Sequence, residues 1–320
     1  MDKYLFEKAK KLNKTIVFPE AAYSERVRNA GKFLIENGVV NVLFVGKKED
    51  FDFEVNSVSP ETFEHKEVLI ETLLEKRKSK GLTREQAEKL YADSVYFGTL
   101  LVECGYADGM VCGAETSTAN TLRPALQIIK AKKGINLVSS CFVMYKKGLP
   151  FGTDDKVCLG DCGLNINPTS ENLCDIAIST ASTFNSLFGI EPKVAFLSFS
   201  SNGSGGDNEE ANKVKRAVEL MKDINPSFEY DGEMQFDCAV SPTVAALKFP
   251  NSKVAGQANV FIFPDINAGN IGYKIMQYSG ETMAIGPIIQ GLNKPINDVS
   301  RGATFMEIAV IAAITALQVE

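Results

Sequence analysis

Histidine is almost missing: the 320-residue chain has one, His65, and it has no tryptophan. A single histidine excludes His-pair metal sites of the H-E-x-x-H kind. It also leaves His65 as the only possible histidine of a Ser-His-Asp triad. His65 stands in the charged stretch Glu64-His65-Lys66-Glu67 and reads as solvated surface. Seven cysteines are present, but none has the C-x-x-C spacing of zinc ribbons and thioredoxin-type sites. Cys158 and Cys162 lie four apart with no second pair or histidine to complete a metal site. Buried free thiols in a reducing cytoplasm are therefore expected, with no bound metal. A basic excess is missing too. The 34 Lys and Arg against 40 Asp and Glu leave a net charge of −6, which argues against a nucleic-acid partner. Small anions remain possible ligands, because a local arginine or a helix start can bind them inside an acidic protein. Long apolar runs are absent. Ile308–Leu317 falls far short of the roughly 20 residues of a membrane span, and charged Met1–Lys11 lacks an apolar signal core. A cytoplasmic location and no membrane partner are the expectation.

What is present is an ordinary globular balance, 45% apolar and 23% charged, long enough for about two domains. Buried-type strands are expected at Thr15–Phe18, Val39–Val45, Ala107–Cys112, Ile135–Tyr145, Val157–Leu159, Val194–Phe199 and Val260–Phe263. Helical spacing covers Ser24–Asn37, Lys66–Lys78, Thr83–Phe97 (closed by Gly98), Thr118–Lys130, Ser170–Leu187, Glu209–Lys222, Asn267–Ser279 and Thr304–Leu317. Alternation of this kind predicts an α/β fold with mostly parallel sheets covered by helices. No linker separates two halves, which predicts a broad shared interface with a cleft, and ligands beyond the carboxyl ends of the strands.

Three loops combine polar groups with a helix start. Leu197–Gly206 runs from a buried strand into a Gly/Ser-rich turn, where the amides of Ser201, Asn202 and Gly203 could cradle a phosphate. A plain surface loop fits the same composition. Thr116–Pro124 brings Thr118, Thr121 and Arg123 to a helix start, which suits a phosphate or carboxylate and equally a simple N-cap with a solvated arginine. Pro295–Glu307 carries Ser300 and Arg301 into the last helix. There Thr304-x-x-Glu307 matches a capping box, or Glu307 is a carboxylate placed to take a proton.

Taken in order, Ile16–Glu20, Lys76–Gly81, Thr121–Gln127, Lys193–Ser200, Asp231–Asp237, Val260–Asp265, Asn267–Ile271 and Lys294–Gly302 resemble the phosphate acetyltransferase family over nearly the whole chain. The resemblance implies two αβα-sandwich domains related to isocitrate and isopropylmalate dehydrogenases, with an interdomain cleft. It implies a first domain of residues 1–135 plus 303–320 and a second of 136–302. It also implies reversible acetyl transfer between acetyl phosphate and coenzyme A by direct attack of the CoA thiolate, with CoA as substrate and no bound cofactor. By motif match Ser300 and Arg301 hold or polarise the acyl phosphate and Glu307 is the base. Arg77, Arg123, Thr118 and Thr121 bind substrate, with Ser201, Asn202 and Gly203 added from the loop reading. A homodimer and metabolic coupling to acetate kinase are further implications. The chain departs from the family pattern where Glu307 replaces an aspartate, Tyr278 an arginine, Ala303 a cysteine and Asn120 an aspartate. Glu307 and Tyr278 also fit an acyl-CoA-binding paralogue with a regulatory role, and a transferase of a longer acyl group is a further alternative.

Overall fold

Thr15–Phe18 forms a strand, β1, whose Ile16, Val17 and Phe18 are fully buried, as a β-branched and aromatic run covered on both faces must be. The computed structural model describes residues 1–319 and gathers them into two units. The first takes Met1–Lys133 together with the chain from Leu292 onward, and the second is Gly134–Gly291.

In the first unit α1 (Asp2–Lys10) precedes β1, and α2 (Glu25–Glu36), β2 (Asn41–Val45) and β3 (Asn56–Val58) follow. Next come α3 (Lys66–Arg77), α4 (Arg84–Tyr91), α5 (Ser94–Glu103), β4 (Gly109–Cys112) and α6 (Thr118–Pro124). A π-helical turn, Ala125–Ile129, continues α6. Pro124 has no N–H to give the preceding turn, a local reason for this widening of the expected single helix. The single helix expected over Thr83–Phe97 is two. Asp93 caps α5 by accepting the amides of Val95 and Tyr96, and Gly98 lies inside α5 instead of ending it. A Cβ at Gly98 would stand 2.9 Å from Pro19 Cγ, so glycine there lets the helix lie close on the sheet.

The second unit runs β5 (Ser139–Tyr145), β6 (Lys156–Gly160), α7 (Ser170–Phe188), β7 (Lys193–Leu197), α8 (Glu209–Ile224) and β8 (Glu229–Met234). It continues with α9 (Phe236–Val240), α10 (Pro242–Lys248), β9 (Val260–Ile262), α11 (Ile266–Gly280) and β10 (Met283–Gln290). The chain then returns to the first unit as β11 (Ile296–Asp298) and α12 (Phe305–Leu317).

The first sheet has strand order β11-β4-β1-β2-β3 and every pair is parallel. α1, α2 and α12 pack together, with α12 against β1, β4 and β11. A separate core joins Val17, Met110, Cys112 and Ile296 to α3, α4 and α5. The second sheet has order β10-β5-β6-β9-β7-β8 and is mixed: β6, β9, β7 and β8 run parallel, while β5 pairs antiparallel with both β10 and β6. Each unit is thus an αβα sandwich. Residues 292–302 belong to the first unit because Ile296–Asp298 pairs with Met110–Cys112 and completes that sheet.

Candidate functional site

The first unit gathers three loops at one place because β1, β4 and β11 are parallel neighbours. Their carboxyl ends emerge together, the usual ligand side of such a sheet. After β1 comes Glu20, only 1% exposed. Its carboxylate accepts the amides of Ala114 (2.8 Å), Glu115 (3.0 Å) and Thr116 (2.7 Å), and so shapes the loop after β4. Arg26, at the start of α2, donates to the carbonyls of Arg301 and Ala303, both at 2.8 Å, and to Ala114 O (2.7 Å) and Glu115 Oε1 (2.9 Å). One guanidinium fork thereby ties the loop after β11 to the loop after β4.

Asp298 ends β11 opposite Cys112 and is 2% exposed. Thr118 Oγ1 donates to its Oδ2 at 2.6 Å, whereas Oδ1 has no hydrogen-bond partner. Oδ1 lies against Gly113, where an added Cβ would come within 2.2 Å of it and 2.6 Å of Val299 O; only glycine fits, at φ +106°. Burial pushes the Asp298 carboxyl up to about 6, and Glu20 adds to this. The hydroxyls of Thr118 and Thr121 and the charge of Arg301 pull the other way.

Ser300 is exposed, its Oγ accepting the Gly302 amide at 3.2 Å, and the exposed Arg301 follows it. Glu307 is exposed in the first turn of α12 and completes the capping box. Its Oε2 accepts the Thr304 amide (2.7 Å) and Thr304 Oγ1 (2.9 Å), while the Glu307 amide donates to Thr304 Oγ1 at 3.3 Å. Arg77, at the end of α3, and Arg123, in α6, both act by their charge on Tyr96 of α5. Burial raises that phenol, and the two guanidinium charges draw it back down. Tyr96 Oη is in turn bonded to Gln127 at 3.0 Å.

Of the seven arginines, Arg26, Arg28, Arg84 and Arg216 have carbonyl or carboxylate partners. Arg77, Arg123 and Arg301 have no hydrogen bond or ion pair from their guanidinium groups among the described residues. These three are the arginines singled out from the sequence. Thr121 is fully buried beside Asp298.

In the second unit the amides of the Gly/Ser loop after β7 have partners within the chain. The Gly203 amide donates to Glu233 Oε1 (2.9 Å), the Asn202 amide to Glu233 O (3.1 Å) and the Ser201 amide to Ser204 Oγ (3.0 Å). Ser201 Oγ accepts the Gln235 amide at 2.9 Å. Glu233, 3% exposed, also accepts the Ser200 hydroxyl. Among the described residues, no group of three or more His, Cys, Asp and Glu is arranged to hold a metal ion, and no helix is long and apolar enough to cross a membrane.

The sequence profile described as phosphate acetyl/butaryl transferase matches residues 1–316. The chain belongs to this family. It is 43% identical over 326 residues to a phosphate acetyltransferase of Clostridium acetobutylicum, spanning 99% of this chain and 97% of that one. It is 44% identical to a phosphate acetyltransferase of Helicobacter pylori, again over 99% of this chain but only 61% of that longer protein. Among solved structures, a phosphotransacetylase from Streptococcus pyogenes superposes with a TM-score of 0.92 at 43% identity, covering 99% of this chain and 98% of that one. A 4-hydroxythreonine-4-phosphate dehydrogenase from Klebsiella pneumoniae, 13% identical over 96% of this chain and 100% of that one with a TM-score of 0.56, shares the fold alone.

Within this acyltransferase family chain, Tyr278 lies on α11, 80% exposed, in a stripe with Ile271 and Ile275. Sequence reasoning gave no role to Asp298, Glu20, Arg26 or Tyr96. Asp298 lies inside the Lys294–Gly302 motif, but only its burial, a tertiary property, distinguishes it from a turn aspartate. Glu20 and Arg26 act across about 90 and 275 residues of sequence, and no local pattern marks them.

Proposed function

We propose that the chain is a phosphate acetyltransferase, interconverting acetyl-CoA and phosphate with acetyl phosphate and CoA. The observation that carries this reading is the set of three partnerless guanidinium groups, Arg77, Arg123 and Arg301, in a protein of net charge −6. In such a chain a carboxylate is the ordinary partner of an arginine. Three left open suit substrates that bring their own negative charge, as CoA and acetyl phosphate both do. Arg301 and Ser300 hold and polarise the acyl phosphate, Arg77 and Arg123 bind phosphate groups, and Thr118 contacts the phosphate. Glu307 takes the thiol proton through the oxygen that the capping box leaves open. The sulfur–carbon bond forms, the bond from carbon to the phosphate oxygen breaks, and the thiol proton finishes on the released hydrogen phosphate. Thr121, Ser201, Asn202 and Gly203 are left out, since their polar groups are buried or bonded within the chain.

CoA enters as substrate, and the chemistry needs no redox cofactor. A cytoplasmic homodimer feeding acetate kinase completes the reading. The apolar stripe of Ile271, Ile275 and Tyr278 (57%, 59% and 80% exposed) supports a second copy, which sedimentation of the purified chain would report.

One observation favours a second reading, an acyl-CoA-binding paralogue with little catalysis: the Glu307 carboxylate is already engaged by Thr304. A thioester assay with acetyl phosphate and CoA separates the two. Turnover is expected. Glu307→Asp should keep or raise the rate, and Glu307→Gln should lower kcat on the order of a hundredfold or more. CoA binding by calorimetry with no turnover from folded protein would overturn the enzyme reading in favour of the second.

A further inference from the structure

In the proposed reaction one place takes two anions of opposite hydrogen-bonding character. The phosphate group of acetyl phosphate has only acceptor oxygens at neutral pH, whereas hydrogen phosphate carries a proton. A contact fixed as a donor suits the first alone, and one fixed as an acceptor suits the second. A contact that reverses suits both. Thr118 is exposed at the strand ends that also carry Ser300 and Arg301, and its Oγ1 lies 2.6 Å from Oδ2 of the buried Asp298. When Asp298 is ionised, Thr118 gives its one proton inward and shows lone pairs to the anion. When Asp298 is protonated, it donates to Thr118 Oγ1 and frees the threonine O–H to point outward. The phosphate has a use for that proton, because without one it would have to leave carbon as a trianion. We propose that Thr118 and Asp298 form a reversible proton relay to the phosphate, giving a proton to the oxygen that leaves the acyl carbon and taking one back when hydrogen phosphate attacks acetyl-CoA. The inference rests on the acetyltransferase reading and adds the group that serves the phosphate.

With acetyl phosphate and CoA bound, Asp298 starts protonated and Glu307 ionised. Glu307 takes the thiol proton, and a sulfur lone pair forms the sulfur–carbon bond. The bond from carbon to the phosphate oxygen breaks and its electron pair stays on that oxygen. The oxygen takes the Thr118 proton while Thr118 takes that of Asp298. Hydrogen phosphate and acetyl-CoA leave, Glu307 returns its proton to water and Asp298 recovers one. The reverse reaction runs the same transfers backwards. Thr118 is then the catalytic residue at the phosphate, and Asp298 is the positioning residue behind it that stores the proton. One exposed and one buried carboxylate thus divide the acid and base work.

The groups that face Asp298 come from every neighbouring element: Thr118 and Thr121 of α6, Glu20 after β1, Cys112 at the end of β4 and Arg301 after β11. Burial outweighs the rest and leaves the carboxyl titrating at about 6, which keeps both of its states accessible near neutrality. A bound acyl phosphate adds negative charge beside Thr118 and favours the protonated state.

The test is kcat of the full chain, with both substrates saturating, in each direction from about pH 5 to 8.5. Asp298→Asn keeps the shape and still accepts from Thr118, but it stores no proton. It should lower kcat on the order of a hundredfold in both directions and leave KM for acetyl phosphate and for phosphate within about threefold of wild type. In the ratio of wild-type to variant kcat the titrations of Glu307 and of the substrates cancel. That ratio should fall with rising pH in acetyl-CoA synthesis and climb with pH in acetyl phosphate synthesis. A merely structural role would move the two ratios in the same sense. Thr118→Val should lose as much rate as Asp298→Asn, and Thr118→Ser should keep kcat within about fivefold together with both slopes. An Asp298→Asn kcat within about threefold of wild type in either direction overturns the relay. So do ratios that are flat or slope the same way in the two directions. Folded wild type that turns over neither substrate pair instead fails the acetyltransferase reading on which the relay rests.

Discussion

Asp298 holds a charge where the protein solvates it poorly, and this has a cost that depends on pH. Its carboxyl rises from 3.8 to about 6 on folding, chiefly through burial. A carboxyl raised in the folded state binds its proton more tightly there than in the unfolded chain. The resulting stability is fully present below the unfolded value and is lost as pH climbs through the folded one. Between about pH 4 and 6 the wild type should therefore lose stability on the order of 3 kcal/mol from this group. Asparagine cannot ionise and can still accept the Thr118 hydroxyl. Asp298→Asn should consequently be more stable than wild type at pH 8 and level with it near pH 4, as urea unfolding at the two pH values would report. A variant destabilised equally at both would show that burial does not govern this carboxyl. A residue kept at such a cost fits a role in binding better than one in folding.

Loops at the strand ends are organised by carboxylates of the protein itself. Glu20 takes three amides of residues 114–116. Asp161, 3% exposed, takes those of Gly163, Leu164 and Asn165. Glu233 takes the Gly203 amide and the Ser200 hydroxyl. A Gly/Ser loop at a strand end looks the same in sequence whether its amides await a phosphate or already hold a buried glutamate, because the partner lies elsewhere in the chain. That is why composition alone leaves Ser201–Gly203 open between the two, whereas the signals of β1, α2, α7 and α8 are periodicity and caps, legible nearly to the residue. Strands β10 and β11 escaped notice for a related reason: Pro287 with two glycines nearby, and Asn297-Asp298, resemble turns until the neighbouring strand is known. The sequence offers Arg123 and Arg301 through their loops and Arg77 through the family resemblance, and nothing in it marks Arg26. Arg26 joins two loops through four acceptors, a geometry one ammonium cannot reproduce. Arg26→Lys should leave the Ser300–Arg301 loop displaced by a fraction of an ångström to an ångström. It should lower kcat by roughly ten- to a hundredfold while the far-ultraviolet spectrum stays that of wild type. Kinetics indistinguishable from wild type would mean the loop holds its shape without the clamp.

Across the whole molecule, chain order and sheet order disagree in an instructive way. Gly134–Gly291 is one continuous stretch that contains all six strands of its sheet and the helices on both faces. Met1–Lys133 is incomplete by itself. It lacks β11, the edge strand beside β4, and α12, whose residues Ile308 to Ala316 are all buried and which packs on α1, α2, β1 and β4. Burial of an aliphatic side chain of this kind stabilises by about 1.5–3 kcal/mol, so the four isoleucine and valine side chains at 308, 310, 311 and 314 together contribute as much as the net stability of a typical domain. Their absence would leave an apolar face of α2 and the sheet open to water. The two units should thus behave differently when expressed alone. Residues 134–291 should fold, with a cooperative thermal transition and dispersed amide resonances. Residues 1–133 should be molten or aggregated and should regain structure when 292–320 is joined to them through a short glycine-rich loop bridging Lys133 and Leu292. A cooperatively folded 1–133 fragment would contradict this, because it would mean that α3, α4 and α5 on one face and α1 and α2 on the other suffice to hold a sheet without α12.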